Sequence, residues 1–513
     1  MSPALPRSAG TFARLTWFNT VRLCRNPLLL PGTAVGSYLV LRPDLYYPAG
    51  LPMWEGWYDD TTTTATLVGV LMFVATAFPA MREARYSAAV VAPLGRSGRV
   101  LSLMAASVAV STALTALAAG WELWLLSSPP AGTLSPMALP TPFLMAAAGP
   151  LASIALVLWT RSYLPLVLAV LAVPAYWLYG LALAESRLQS AVSRVEWAAR
   201  VALHPFTMRA PAVTDVAAHF LAYTALVVAA LVFLGLAARG HRARRTVCLA
   251  AVAALLAGAG GTVLHGRWAQ PRDAPIADSR IHGAPEEPCE DREGITYCPL
   301  PGFEPWVDHW QAALVPVLDP LPERALEPGL VVWQESSSYT RGLEVPEERS
   351  VVVYSYLDPD DAYWRADLAV NTGQAVVGLP SPYGIDACRA DGQARMVLAA
   401  WLGAAAVGED RSQQVEALAM GMFPRLPSPV DLETGLALTE MPPERVGRVL
   451  EEHWEELSAP ETDTADLADL LGVELRETST APADGADWDR VYPELGYGDL
   501  SPDPWSLTWP VCS

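Results

Sequence analysis

Seven apolar runs, most of them close to twenty residues long, fill the first half of the chain and leave few folds open to it. A run of about 20 apolar residues crosses the hydrocarbon core as a helix, because a helix satisfies its own backbone N–H and C=O groups inside lipid. The runs are Leu28–Leu41 (short, extendable to Tyr47), Thr62–Met81, Val100–Leu126, Thr141–Thr160, Tyr163–Ala184, Asp215–Ala238 and Thr246–Leu264. Trp159–Tyr163 joins two of them with a single charge between, and fusing the pair would overrun one crossing. The expected architecture is a polytopic α-helical membrane protein of about seven spans carrying an external α+β domain.

Charge divides the chain at the same place. Residues 1–263 hold 18 Arg and 9 acids, a net +9, whereas residues 264–513 hold 16 Arg and 45 acids, a net −29. Basic residues collect on the cytoplasmic side of spans. Arg7, Arg14, Arg22 and Arg25 precede the first run; Arg82, Arg85, Arg96 and Arg99 follow the second; Arg161 follows the fourth; and Arg239, Arg242, Arg244 and Arg245 follow the sixth. The opposite loops carry Asp44, Glu55, Asp59 and Asp60, then the uncharged 127–140 stretch, and the third, Glu185–Arg209, is mixed. That alternation sets the N-terminus inside, and an odd number of spans sends the acidic domain outside. No cleavable-signal pattern precedes the first run.

The cysteines are an independent test of that placement. Cys24 and Cys248 fall on the inner side, while Cys289, Cys298, Cys388 and Cys512 all lie in the acidic part, an even number suited to an oxidising compartment. Four cysteines allow three pairings. Cys289–Cys298 closes a short loop and is favoured, which leaves Cys388–Cys512 to pin the tail.

Two segments on the inner side have more structure than a positive loop requires. Thr11–Asn26 is too polar to cross, and its Phe12, Leu15, Phe18 or Asn19, and Leu23 share one helical side. That is the pattern of an interfacial amphipathic helix, broken at Asn26-Pro27. After the second run, Arg82-Glu83-Ala-Arg85 makes a charged turn, followed by a short apolar helix to Pro93 and then Arg96 and Arg99. In this order the helix ending in Arg-Asn-Pro, two spans, Arg-Glu-x-Arg and Pro-Leu-x-Arg resemble a type-2 ATP-binding-cassette exporter permease over roughly residues 10–325. The resemblance implies that the loop at Arg82, Glu83, Arg85 and Arg96 docks on a separate cytoplasmic nucleotide-binding ATPase subunit, Glu83 being the acidic residue of that element. It also implies that a second permease copy or paralogue completes the pathway, and that residues 185–213 form an external helical segment. ATP and Mg would then sit on the partner subunit, since this chain has no Walker motif. The seventh span and its domain depart from the family's six-span core.

Ionisable residues inside spans are the candidates for a pathway. Asp215 and His219 stand one turn apart at the outer entry of the sixth span, and Glu122 lies near the outer end of the third. Each has a plainer account. Thr214 can cap a helix that favours an acid in its first turn. Trp121 and Trp124 mark Glu122 as part of an interfacial aromatic belt.

The chain thus divides into residues 1–27, inside and interfacial; 28–264, transmembrane; 265–300, a linker; and 301–513, extracytoplasmic. In the last part, Gly329–Glu335 and Ser350–Leu357 read as strands, with a third expected within Ala369–Leu379. Helices are expected at Trp306–Pro322, Asp386–Val407, Arg411–Gly421, Pro443–Ser458 and Asp463–Leu471. No His-Glu-x-x-His or Gly-x-Ser-x-Gly pattern occurs. Asp308-His309 reads as packing at a core edge, Glu451–Glu456 as a solvated acidic face around His453, and Asp358–Asp361 as an acidic turn. Neither metal, cofactor nor nucleic acid is expected on the chain. An exporter permease in the cell membrane is the leading expectation, and a membrane-anchored sensor or envelope interaction protein the alternative.

Overall fold

A computed structural model describes residues 5–27, 51–86, 94–164, 214–238, 289–335, 349–354, 362–380, 388–475 and 510–512, apart from isolated positions and gaps of two or three residues within these stretches. It divides into two compact units, one almost wholly within residues 1–281 and the other almost wholly within 282–513. The runs at 28–41, 163–184 and 246–264, the 185–213 segment and the 265–288 part of the linker lie essentially outside the described residues.

The first unit is helical: α1 (Leu5–Cys24), α2 (Trp54–Tyr86), α3 (Arg96–Leu125), α4 (Thr141–Thr160) and α5 (Thr214–Ala237). Among the described residues, three helical segments are long and apolar enough to cross a membrane: Gly56–Arg85, Ser97–Leu125 and Thr141–Thr160. The apolar stretch Leu221–Ala237 of α5 is shorter. The break expected around Trp159–Tyr163 is present. α4 stops at Thr160, and Arg161 takes a left-handed φ of 53° while its N–H donates to Val157 O.

Small residues let these helices approach closely. A Cβ on Gly149 of α4 would lie 2.1 Å from the Gly69 carbonyl oxygen of α2. Ala77, Ala80, Met81, Leu103, Met104, Leu151 and Ile154 pack into one buried cluster around the α2–α3–α4 contacts.

The amphipathic helix starts earlier than the sequence pattern indicates, at Leu5. Of the two candidates for its inward side, Asn19 is taken: Asn19 Nδ2 donates to Ser102 Oγ of α3 at 3.2 Å, and Thr16 Oγ1 donates to the same oxygen at 3.3 Å. Leu23 is buried against Met72, Ala75, Ala106 and Val110. Phe18 is turned outward with Trp17, the two being 60% and 70% exposed. A buried hydroxyl leaves a polar partner to be satisfied, and Asn19 meets that need where Phe18 cannot.

The second unit holds a four-stranded sheet in the order β1 (Glu290–Arg292), β2 (Ile295–Cys298), β3 (Leu330–Glu335), β4 (Ser350–Tyr354). β1 and β2 form an antiparallel hairpin, and β2, β3 and β4 run parallel. The hairpin falls in the stretch that the composition marks as linker. Its turn residues Glu293 and Gly294 both have positive φ, 52° and 82°, as a two-residue type I′ connection needs. α6 (Val307–Leu318) connects β2 to β3 and buries Trp310 and Leu314 completely.

Ala369–Leu379 is not a strand. It belongs largely to α7 (Ala362–Val376), which packs against β4 and α8 (Ala394–Val407). The close α7–α8 contact accounts for this: a Cβ on Gly373 would stand 3.1 Å from Ala399 Cα, and one on Gly403 would stand 2.2 Å from a Val370 methyl. Apart from Arg395, α8 is apolar on every side because it is buried through Ala404, and at 14 residues it is too short to span a bilayer. It begins eight residues later than expected, since residues 388–393 form the turn that meets the C-terminal tail. α9 (Pro429–Thr439), α10 (Pro443–Leu457) and α11 (Thr464–Leu471) complete the unit. Capping boxes at Ser428/Asp431 and Asp463/Asp466 start α9 and α11.

Candidate functional site

The residues expected to couple to an ATPase stand on helix ends, not in a turn. α2 runs on through Arg82, Glu83 and Arg85 to Tyr86, and α3 begins at Arg96. The helix persists because Ala80, Met81 and Ala84 keep its inward face buried for another turn. Glu83 faces α3: its Oε1 accepts from Arg99 Nε at 3.1 Å and lies 3.0 Å from Arg99 Nη2. Arg99 Nη1 also donates to Leu94 O at 3.2 Å. One guanidinium therefore ties the end of α2 to the start of α3 and to the residue entering it. Arg82 and Arg85 are exposed on the same turn, and the Arg96 side chain lies outside the described residues, as does 87–93.

Glu122 is not on the aromatic face of α3. Trp121 and Trp124 lie against each other, ring centroids 4.9 Å apart and planes tilted by 41°, and both are exposed. Glu122 turns the other way, accepting from Thr61 Oγ1 at 3.4 Å and Thr64 Oγ1 at 3.3 Å, both on α2. Below it on the same side of α3 are the buried hydroxyls of Thr115, Ser111 and Ser107, with Ser102 buried further along. Each of the first three donates to a carbonyl of its own helix, so the stripe is polar without unmet donors. Asp215 and His219 sit in the first two turns of α5, and their side chains lie outside the described residues.

In the second unit both expected disulfides are present, Cys289–Cys298 and Cys388–Cys512. The first closes the mouth of the β1–β2 hairpin. The second anchors the tail, which is also held by Arg389 N to Pro510 O at 2.8 Å and Cys512 N to Arg389 O at 2.7 Å.

Around this second bridge lies a buried polar cluster that no motif announces. Arg425, 2% exposed, donates from Nε to Cys388 O at 2.7 Å. Its Nη1 donates to Gln374 Oε1 at 2.8 Å and to Pro380 O at 2.9 Å. Arg395, 4% exposed, donates from Nε to Gln393 Oε1 at 2.7 Å, and Gln393 Nε2 donates to Cys512 O at 3.0 Å. Fully buried Asp431 accepts at Oδ2 from Gly392 N at 2.9 Å, Ser428 N at 3.1 Å and Ser428 Oγ at 2.7 Å, and at Oδ1 from the Thr464 hydroxyl.

Burial pushes the Arg425 guanidinium down to about 10, helped by the like charge of Arg395 and opposed by Asp391. Burial likewise raises the Asp391 carboxyl to about 6; Asp431 adds to the rise, and Arg389 and Arg425 oppose it. The one sequence signal was a lone Arg395 in the otherwise apolar run Ala394–Val407; Arg425, set between prolines, carried none.

Among the described residues no group of three or more His, Cys, Asp and Glu side chains could hold a metal ion. His453 interrupts the helical backbone of α10 and lies 3.1 Å from Glu456 Oε2, with Trp454 turned into the core. Asp308 is exposed and paired with Arg292, between the buried Trp306 and Trp310.

No family model, curated protein or solved structure matches the chain.

Proposed function

We propose that the chain is the membrane-spanning subunit of an ATP-driven exporter, coupled through the connection between α2 and α3 to a separate cytoplasmic ATPase. The observation that carries this reading is the Glu83–Arg99 clamp, with Leu94 O as its third point. A push delivered to that connection would move α2 and α3 as one body, because an ion pair joins them at the point of delivery. Exposed Arg82 and Arg85 beside the clamp offer charge for docking. The inward polar stripe of α3, ending at Glu122, places polar side chains within the helix packing at membrane depth, which a transport pathway requires and a bare anchor does not. Asp215 and His219 are assigned to its outer end.

In this reading the chain crosses the cell membrane seven times with its N-terminus cytoplasmic. It pairs with a second copy or a paralogue, and the acidic unit is extracytoplasmic. ATP and Mg belong to the partner subunit, which supplies the driving reaction; the residues here transmit force and line a route.

The test is purification of the full chain from its native membranes, as wild type and as Glu83→Arg. Wild type is expected to bring a nucleotide-binding subunit in fixed ratio, and the variant to lose about tenfold in its recovery, on the order of 1.4 kcal/mol, because a like charge facing Arg99 opens the connection that docks. A complex without any nucleotide-binding subunit, together with unchanged assembly of the variant, would sink the proposal. A second reading, an envelope sensor displaying the acidic unit, is favoured by that unit's own core and its two disulfides. It requires Glu83→Arg to be silent, and cross-linking at the acidic unit in intact cells to capture an envelope partner.

A further inference from the structure

We infer that the acidic unit contains a buried site for a small inorganic anion, formed by Arg395, Arg425 and Gln374 beside the Cys388–Cys512 disulfide. The inference is independent of the export reading. It starts from hydrogen bonds that are not made. Nη2 of Arg395, Nη2 of Arg425 and Nε2 of Gln374 are buried and have no hydrogen-bond partner. The three side chains belong to residues 4%, 2% and 2% exposed. Buried donors of this kind are rare, and a buried cation left with an open N–H is costlier than a neutral donor.

The three groups belong to one place. Arg425 Nη1 is 2.8 Å from Gln374 Oε1, which sets Gln374 Nε2 beside that guanidinium. Arg395 and Arg425 are near enough for each other's charge to matter. They also reach the disulfide from its two ends, Arg425 through Cys388 O and Arg395 through Gln393 to Cys512 O.

The acids nearby do not supply the missing acceptor. Asp431 already spends both oxygens on Gly392, Ser428 and Thr464. Asp391 lies against Arg389, 3.9 Å from its Nε, at the rim. Glu461 acts on Arg395 from an exposed position. All three free atoms are donors, and two belong to like charges. A water molecule would complete the hydrogen bonds and leave the repulsion. An anion does both. Because the free atoms are sealed from solvent, the probe is a small monatomic anion, chloride.

The experiment follows thermal unfolding of the full-length protein in detergent at constant ionic strength, exchanging sodium gluconate for sodium chloride. The unfolding transition of the acidic unit is expected to rise by about 3 °C or more, saturably, because an ion bound only by the folded state stabilises it. Arg395→Gln should abolish the rise, and Arg324→Gln, at an exposed arginine, should retain it. If Arg395→Gln does not fold, ³⁵Cl NMR on wild-type protein decides the matter through excess line broadening that unlabelled bromide removes by competition. Equal midpoints in the two salts, with no competable broadening, would mean that water fills the site, and would overturn the inference.

Discussion

At Gly149 the α4 backbone rests on the α2 backbone, and the contact is lopsided. A methyl group on Gly149 would meet the Gly69 carbonyl at 2.1 Å, whereas one on Gly69 would find its nearest neighbour, Met145 O, at 3.4 Å. Gly69→Ala should therefore be tolerated, while Gly149→Ala must push two helices apart, at a cost of about 1–3 kcal/mol. Unfolding of the two variants in mixed detergent micelles measures the difference, and equal stability would refute the backbone contact.

Asp391 makes a different prediction at the same scale. Its carboxyl is raised from 3.8 to about 6, chiefly by burial, so between those values the folded state holds a proton that the unfolded state has released. Stability from this group is complete below about pH 4 and declines as pH rises through 6. Asp367 on α7, also raised to about 6 by burial, acts in the same direction. Asp391→Asn should remove the first contribution, so wild type should lose on the order of 2 kcal/mol relative to the variant between pH 4 and pH 7. Urea titrations across that range give the difference, and parallel profiles would be the contrary result.

Among elements, the two disulfides close loops of very different length, 9 and 124 residues apart in sequence. Chain entropy makes the longer closure the more stabilising, about 5 kcal/mol against about 3 kcal/mol. Replacing Cys388 and Cys512 by Ser should thus lower the unfolding midpoint of the acidic unit more than replacing Cys289 and Cys298. The contrast is sharpened because Gln393 Nε2 also depends on the tail carbonyl of Cys512.

Both pairings could be read from the sequence, since parity and a short loop leave little choice. The four described apolar helices, β3, β4 and α6 were legible for the same reason: their signals are local runs of hydrophobicity. The β1–β2 hairpin was not, because Glu290-Asp-Arg has no apolar alternation and is held by its turn and the disulfide. α7 was mistaken for a strand because Ala369-Val370 and Ala375-Val376-Val377 fit either element. What decides it is packing of Gly373 on Ala399, a contact between residues distant in sequence. The same holds for the site residues. Glu83 stood out by position, but its partner Arg99 could be seen only once α2 and α3 were side by side. Arg425 could be seen only once the Pro380 and Cys388 carbonyls had been brought to it.

For the whole molecule, the opposed charges of the two halves, +9 and −29, and the placing of the cysteines make one claim about sidedness. Arginine resists translocation, and disulfides persist where thiols are not kept reduced. The structure adds the labels needed to test it. Cys24 is free and exposed at the end of α1, beside exposed Arg25, whereas Cys388 and Cys512 are bonded and buried. In a Cys248→Ser background, a membrane-impermeant maleimide should modify Cys24 in inside-out vesicles and leave it untouched in right-side-out ones. The four remaining cysteines should react only in right-side-out vesicles, and only after a dithiol reductant. Cys289, exposed at the hairpin mouth, should respond first, and the buried Cys388–Cys512 pair should follow once the unit is loosened by denaturant. Labelling of Cys24 and of the reduced acidic-unit cysteines in the same vesicle orientation would place both units on one side of the membrane. It would remove the odd number of crossings on which both functional readings depend.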